Sequence, residues 1–307
     1  MSIRVKILGS NSAAPAHKRH QTSQLLFIEG QMYLMDCGEG TQLLLKRYHV
    51  KIQRIDNIFI SHLHGDHYLG VMGLLSTMHL TGRKKSLNLY APAGLAEIIT
   101  LQLKHSETIF NFDINFVAVD PTVNKVVHED DFVSVSSIPL NHRIPCGGFL
   151  FSEKPKKRRI NKEMLPAEFS VRNIIKLKNG EDILDQEGKV LYKNEALTFP
   201  PKRIYKYAFC SDTKYDESII PIIAGVDLLY HETTFLEEHM DRAANTYHST
   251  AKEAATIAKK ANVGKLLMGH FSIRYKDLEP LRQEAQTIFP NSELAIEGED
   301  FILDDIQ

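Results

Sequence analysis

The chain has 307 residues, 43% hydrophobic and 24% charged, which is the make-up of a folded protein long enough to bury a sizeable core and excludes disorder, collagen and disulfide scaffolds. Cys37, Cys146 and Cys210 are odd in number and far apart, which fits a reducing compartment. The formal charge is −1, yet residues 152–178 hold nine basic side chains against three acidic ones, a local net of about +6 that leaves about −7 elsewhere.

The length admits one or two domains. The opening MSIRVKILGS has too short an apolar run for a signal peptide, and the apolar stretch 219–226 is broken by Pro221 and Gly225, so the sequence reads as a soluble cytoplasmic protein with no membrane span.

Apolar runs bounded by turn residues predict strands at 3–8, 24–28 and 32–35, a helix at 39–48, a strand at 58–60, a helix at 69–77, a strand at 87–90 and a helix at 95–104. Further along, strands are predicted at 132–138, 207–210, 228–230 and 266–268, with helices at 249–261 and 277–289. Ser249 reads as the N-cap of its helix, with Glu253 in the first turn and Gly264 just past the end. The order predicts a mixed α/β architecture with helices packed outside the sheet, and no fixed-period repeat. Residues 151–206 break this pattern. The KPKKRR run, the Asn179-Gly180 and Glu187-Gly188 turns and Pro200-Pro201 flank only short β-prone pieces at 173–177 and 189–192, as in an inserted arm. A solvated excursion with no partner is the alternative.

The strongest chemical signal is Ser61-His62-Leu63-His64-Gly65-Asp66-His67, directly after an apolar strand. His62, His64, Asp66 and His67 offer the imidazole and carboxylate donors that suit zinc and similar divalent ions, and Gly65 is expected to let the backbone turn tightly. Four such groups on one loop would repel one another unless a cation or a hydrogen-bond network compensates. His142, Asp212 and His270 each follow an apolar strand, the position where ligands gather in α/β sheets. Singly, each reads as a strand-end residue with a local hydrogen bond. As a set they make seven donors, enough for two metals if one carboxylate bridges, and two Zn²⁺ with two aspartates and a hydroxide leave a net +1 that favours an anionic substrate such as a phosphodiester. Glu232 and His248 would complete a hydrolase as a carboxylate-oriented general acid, although spacing alone reads them as an ordinary cap and a surface residue at a helix start.

HxHxDH after a strand is the mark of the metallo-β-lactamase superfamily. With Asp36-Cys37-Gly38-Glu39-Gly40-Thr41-Gln42, the His231-Glu232-Thr233-Thr234 tetrad, Tyr247-His248-Ser249-Thr250 and Gly269-His270-Phe271-Ser272-x-Arg274-Tyr275, the chain from Ile3 to about Phe301 resembles the short form of the ribonuclease Z family. The resemblance implies an αβ/βα four-layer sandwich over residues 1–307, with a flexible tRNA-binding arm inserted at about 152–205. It implies two zinc ions per chain, other divalent metals being possible, with His62, His64 and His142 on one, Asp66, His67 and His270 on the other, and Asp212 between. By the same resemblance, a hydroxide held by the metals attacks the phosphorus, Asp66 orients or deprotonates it, and His248 paired with Glu232 protonates the departing 3′ oxygen of precursor tRNA. Arg19, Ser272, Arg274 and the run Lys156, Lys157, Arg158 and Arg159 would contact substrate, and the protein would be a homodimer whose arm grips tRNA bound at the partner's site.

Two departures are visible. Where bacterial members carry a PxKxRN-type loop, this chain has Pro15-Ala16-His17-Lys18-Arg19-His20, with His17 and His20 replacing the lysine and asparagine. Where the arm usually carries Gly-Pro, it has Leu165-Pro166-Ala167-Glu168-Phe169. The rival functions are a phosphodiesterase acting on small phosphodiesters on the same fold, which leaves the basic arm without a purpose, and a catalytically silent RNA-binding subunit, which would be expected to have lost a ligand.

Overall fold

Alternation along the first strand, Ile3–Gly9, already separates two cores: Ile3, Val5 and Ile7 face one and Leu8 the other. In the computed structural model, which describes residues 3–166 and 168–304, the chain divides into two compact units. One runs to Ser152 and resumes over Tyr205–Asp304; the other is Glu153–Ile204.

The larger unit holds two seven-stranded sheets. In the first, Asp300–Leu303, Ile3–Gly9, Ser23–Ile28 and Gln31–Met35 pair antiparallel, then Asn57–Phe59, Leu87–Ala91 and Ile114–Ala118 continue in parallel. The second has parallel strands Ser292–Leu294, Leu266–Gly269, Leu228–Glu232 and Lys206–Cys210, followed by Cys146–Glu153, Val133–Leu140 and Val126–Glu129. An apolar core fills the space between them, with Phe59 at its centre: its ring stacks on Tyr90 at 4.3 Å and meets Phe149 and Phe151 edge-on at 5.1 and 5.4 Å. Leu44, Leu74, Leu75 and Ile99, on helices Thr41–Arg47, Gly70–Leu80 and Gly94–His105, cover the outer face of the first sheet. Ala254, Ile257 and Leu281, on Ala251–Lys260 and Glu279–Gln286, cover that of the second. This is the expected helix, sheet, sheet, helix layering.

Five strands of these two sheets escape the sequence reading: 114–118, 126–129, 146–153, 292–294 and 300–303. Cys146–Glu153 carries Gly147-Gly148, and glycine pairs are uncommon inside strands. A Cβ at Gly148 would lie 2.4 Å from the Phe209 carbonyl oxygen, so the glycine permits close approach of strands. The cap of Ala251–Lys260 is Thr250 and not Ser249: Thr250 and Glu253 form a reciprocal capping box, and Ser249 instead donates to the Thr213 carbonyl at 2.7 Å. At the other end Asn262, and not Gly264, takes the left-handed conformation.

The smaller unit has its own core of Leu177, Ile183 and Leu197, packed by Ile160, Leu165, Phe169 and Tyr192. Residues 173–177, expected to be β-prone, lie in a helix, Val171–Lys178. Ser170 caps it by accepting from the Asn173 N–H, and Leu177 packs it into the small core, so capping and packing override β-branched propensity. The hairpin Ile183–Leu184 with Val190–Tyr192 turns at Gly188, and Asn194 is buried, donating to the Leu177 and Glu181 carbonyls. Ala167 lies outside the described residues.

Phe59→Ala removes the ring on which the inter-sheet aromatics converge. Stability is expected to fall by about 3–5 kcal/mol, read as a lower urea midpoint with little change in slope; an unchanged midpoint would show that the core does not depend on this ring.

Candidate metal centre and active site

The parallel strands of both sheets end on the same side of the inter-sheet core, and the seven expected donors meet there. His64 Nδ1 lies 3.1 Å from both His62 Nε2 and His142 Nε2, while Asp212 Oδ2 is 3.5 and 3.7 Å from those two nitrogens. Asp66 Oδ2 lies 3.4 Å from His67 Nε2 and 3.5 Å from His270 Nε2, and the second oxygen of Asp212, Oδ1, is 3.3 and 3.1 Å from the same imidazoles. A tetrahedral ion with ligands at about 2.0–2.1 Å has ligand–ligand edges of about 3.3 Å. Each group therefore has the spacing of a coordination shell, and Asp212 presents one oxygen to each.

The remaining ring atoms fix the tautomers. His142 Nδ1 donates to the Tyr247 carbonyl at 2.9 Å, leaving Nε2 with its lone pair. Ser61 donates to Asp36 Oδ2 at 2.9 Å and so accepts from His62 Nδ1 at 2.9 Å. His67 Nδ1 donates to Asp36 at 2.6 Å, and His270 Nδ1 to Thr234 Oγ1 at 3.0 Å. The Nε2 atoms of His67 and His270 are buried with no hydrogen-bond partner. Orphaned buried imidazole nitrogens aimed at carboxylates are what a divalent cation would satisfy, so the residues fit the implied metals.

Burial, then the neighbouring imidazoles, holds His62 and His64 below the usual histidine range, His64 at about 4. His142 is lowered chiefly by burial. The direction favours the neutral imidazole in all three, the form that metal ligation requires. Burial alone would lower His67, but the carboxylates of Asp212, Asp66 and Asp36 outweigh it and hold it well above its ordinary value. Asp66 and Asp212 are depressed against the effect of burial, Asp66 mainly by His67 and Asp212 mainly by His270.

Glu232 ends its strand fully buried and is no ordinary cap. Oε1 accepts from the Thr213 N–H and from His248 Nδ1 at 2.8 Å, and Oε2 from the Thr234 N–H and hydroxyl. Burial opposes a charged His248, yet Glu232 overrides it and raises the imidazole to about 9. A cleft of about 370 Å³ is floored by His64, Asp66, Asp212, His248 and His270 and walled by Ser12 and Ala13.

Gly65 does not make the expected tight turn. It opens the short helix Gly65–Tyr68 with an ordinary φ, and a Cβ there would strike the Leu69 side chain at 2.8 Å. The close backbone approach is at Gly70, where a Cβ would lie 2.1 Å from the Gly38 carbonyl oxygen. The loop 12–20 is tied to the segment after His270: His17 Nε2 pairs with the Ile273 carbonyl at 2.8 Å, and His20 is held by Glu297. Arg19 spends its donors on Asn11 and on the Tyr275 and Lys276 carbonyls, so it braces this loop. Ser272 is buried, while exposed Arg274 lies over the Phe235 ring at 5.4 Å. The loop also reaches the centre, since the Ala13 N–H donates to Asp66 Oδ2 at 2.8 Å.

Within the smaller unit, Lys157, Arg158, Arg159, Lys162 and Lys178 line a cleft of about 740 Å³ floored by Ile160, Leu165 and Ile174. Arg158 donates to Thr198, Arg159 lies over the Phe199 ring, and Lys156 pairs with buried Glu153 at 2.8 Å. Four residues carry the site without a role in the sequence reading: Asp36, Ser61, Thr234 and Tyr247. Asp36 follows an apolar strand as His142 and Asp212 do, so the strand-end rule could have found it. Tyr247 orients His142 through a backbone carbonyl in a left-handed turn, φ 59°, for which its side chain gives no signal.

A family model described as Anti-Pycsar protein Apyc1 matches residues 3–151, just under half the chain. Curated relatives match nearly all of it. A protein named Ribonuclease Z from Cytophaga hutchinsonii is 48% identical over 305 residues, covering 99% of this chain and 97% of the relative, and one of the same name from Parabacteroides distasonis is 45% identical over 295 residues, covering 96% and 97%. Among solved structures, the short form of human tRNase Z is 26% identical with a TM-score of 0.71, covering 97% of this chain and 98% of that one. A metallo-β-lactamase fold protein from Bacillus subtilis shares 19% identity with a TM-score of 0.69, covering 98% and 100%.

Asp36→Asn keeps the shape of the group that orients His67 and removes its charge. Metal affinity is expected to fall about 10–100-fold in competition with a chromogenic chelator, with the circular dichroism preserved; undiminished affinity would remove Asp36 from the support of the centre.

Proposed function

We infer that this chain, which belongs to the ribonuclease Z family, is a metal-dependent endoribonuclease that removes the 3′ trailer from precursor tRNA. The observation that carries this reading at the level of geometry is Asp212, whose two oxygens face two separate sets of imidazoles in a full seven-donor centre. The fold is that of the metallo-β-lactamases.

The nitrogen and oxygen donor set favours zinc, and we assign His62, His64 and His142 to one ion, Asp66, His67 and His270 to a second, and Asp212 to both. Bound there, the two ions would polarise the phosphoryl oxygens and supply a nucleophile at neutral pH. Asp66, held by the Ala13 N–H and lining the cleft, is assigned to orient or deprotonate the attacking water. His248, with Nδ1 on Glu232, turns Nε2 toward the cleft and protonates the departing 3′ oxygen, leaving a 3′-hydroxyl on the tRNA.

The unit Glu153–Ile204 is the tRNA-binding arm in this reading, supported by its cluster of cations and its separate small core. Ser272 and Arg274 sit beside His270 in chain and are assigned to substrate with it; the paired guanidinium of Arg19 is assigned to loop support. Two copies working as a homodimer in the cytoplasm complete the proposal. Among the described residues no helix is long and apolar enough to cross a membrane.

Metal-loaded protein is expected to cut a trailer-bearing precursor tRNA to a product ending in a 3′-hydroxyl. Turnover of cyclic nucleotides with the precursor left intact would instead favour the small-phosphodiester reading. His248→Ala should slow cleavage by about 10²–10⁴-fold and cost less on a nitrophenyl phosphodiester, whose leaving group needs no proton; equal losses would mean that His248 positions substrate. Since the acid form persists below about pH 9 and is depleted above it, Glu232→Gln should move the alkaline loss of rate to lower pH.

Replacing residues 154–202 by a short Gly-Ser linker should sharply weaken precursor binding and flatten its salt dependence, because each phosphate neutralised contributes through counterion release. Hydrolysis of a nitrophenyl phosphodiester should persist. Undiminished tRNA processing at low enzyme concentration and physiological salt would leave the arm as a solvated excursion.

A further inference from the structure

Arg143 directly follows His142, and its Nη2 lies 2.7 Å from His64 Nε2. The side chain is exposed, and no carboxylate among the described residues pairs with it. His64 Nδ1 faces the lone pairs of His62 Nε2 and His142 Nε2. When all three nitrogens offer lone pairs to one cation, the His64 proton sits on Nε2, and Arg143, which has donors only, then faces another donor. Two donors this close need an acceptor, and an anion with two oxygens fits the guanidinium fork.

Among the described residues a second cation without a carboxylate partner is tied to the same group of donors. Lys214 comes two residues after Asp212, with Nζ 5.1 Å from the centre of the Tyr247 ring, and that ring stands edge-on to His142 at 6.5 Å. The two segments are joined: Lys214 N–H donates to the Asn141 carbonyl at 3.0 Å and Asn141 N–H to the Thr213 hydroxyl at 3.1 Å. Arg143 and Lys214 are thus fixed, through neighbours in the chain, to the ligands of one ion. Arg143 meets the His64 ring at Nε2, on the side away from the point where the donors converge.

We propose that Arg143 and Lys214 form a subsite for the RNA phosphate adjacent to the scissile one. The inference rests on the endoribonuclease reading above and adds to it the residues that set the path of the strand through the cleft.

The test uses full-length, metal-loaded protein and a precursor tRNA carrying a non-hydrolysable methylphosphonate at the cleavage position, bound across a salt series. Arg143→Ala and Lys214→Ala should each weaken binding about three- to tenfold and reduce the slope of log affinity against log salt by about 0.7–1. Arg143→Lys should keep most of that slope. On a cleavable precursor the alanine variants should raise KM with kcat little changed, and elemental analysis should find the wild-type metal content. Wild-type slope and affinity in the alanine variants would overturn the proposal, as would loss of a metal equivalent or an equal fall in rate on a nitrophenyl phosphodiester. If the wild-type protein itself neither binds nor cuts the precursor, the endoribonuclease reading falls and this subsite with it.

Discussion

One buried carboxylate governs the arrangement of the site. Asp212 lies on the line between two groups of imidazoles and shows each a different oxygen, so its position sets the distance between the groups. A buried charge in that place is costly unless cationic or donor groups surround it. Here the donors come from both sheets, from the loop after Phe59 and from the ends of the strands before His142 and His270. The close meeting of the two sheets is therefore a condition for the chemistry, and the aromatic core around Phe59 and Tyr90 maintains it.

A second constraint is imposed by proton bookkeeping on the rings. His62, His67, His142 and His270 each aim Nε2 inward, which requires an acceptor for the proton on Nδ1. Asp36, Ser61, Thr234 and the Tyr247 carbonyl supply those acceptors, and Asp36 serves His67 directly and His62 through Ser61. Glu232 acts in the same manner for His248, with both its oxygens occupied. Thr234 links the two networks, because it donates to Glu232 and accepts from His270. The proposed acid and the ligands are consequently coupled through one hydroxyl.

Charge is divided differently between the two units. The cations of 153–204 gather on a small domain with its own core, where they need not be reconciled with the buried carboxylates of the centre. In the larger unit the cations near the cleft are few and placed singly. Arg19 is turned inward to brace a loop, while Arg143 beside His64 and Lys214 beside Tyr247 stay without a carboxylate partner among the described residues.

The sequence by itself determined which side chains could serve as donors. HxHxDH is a local pattern, and a ligand at the end of an apolar strand is visible wherever the strand is, so His62, His64, Asp66, His67, His142, Asp212 and His270 were legible without coordinates, as was the basic arm. Local patterns also located nine of the fourteen strands of the two large sheets and five of the ten α-helices among the described residues. Strand 146–153 carries a glycine pair that serves close packing and is uncommon inside strands, and the helix at 171–178 was misread because its cap and its packing outweigh its β-branched residues. Only the tertiary structure decided which nitrogen of each ring faces inward, which oxygen of Glu232 holds His248, that Arg19 is consumed internally and that Arg143 meets the His64 ring with no carboxylate partner among the described residues. These are relations between residues far apart in the chain, several made through backbone carbonyls, and a carbonyl looks the same at every position of a sequence.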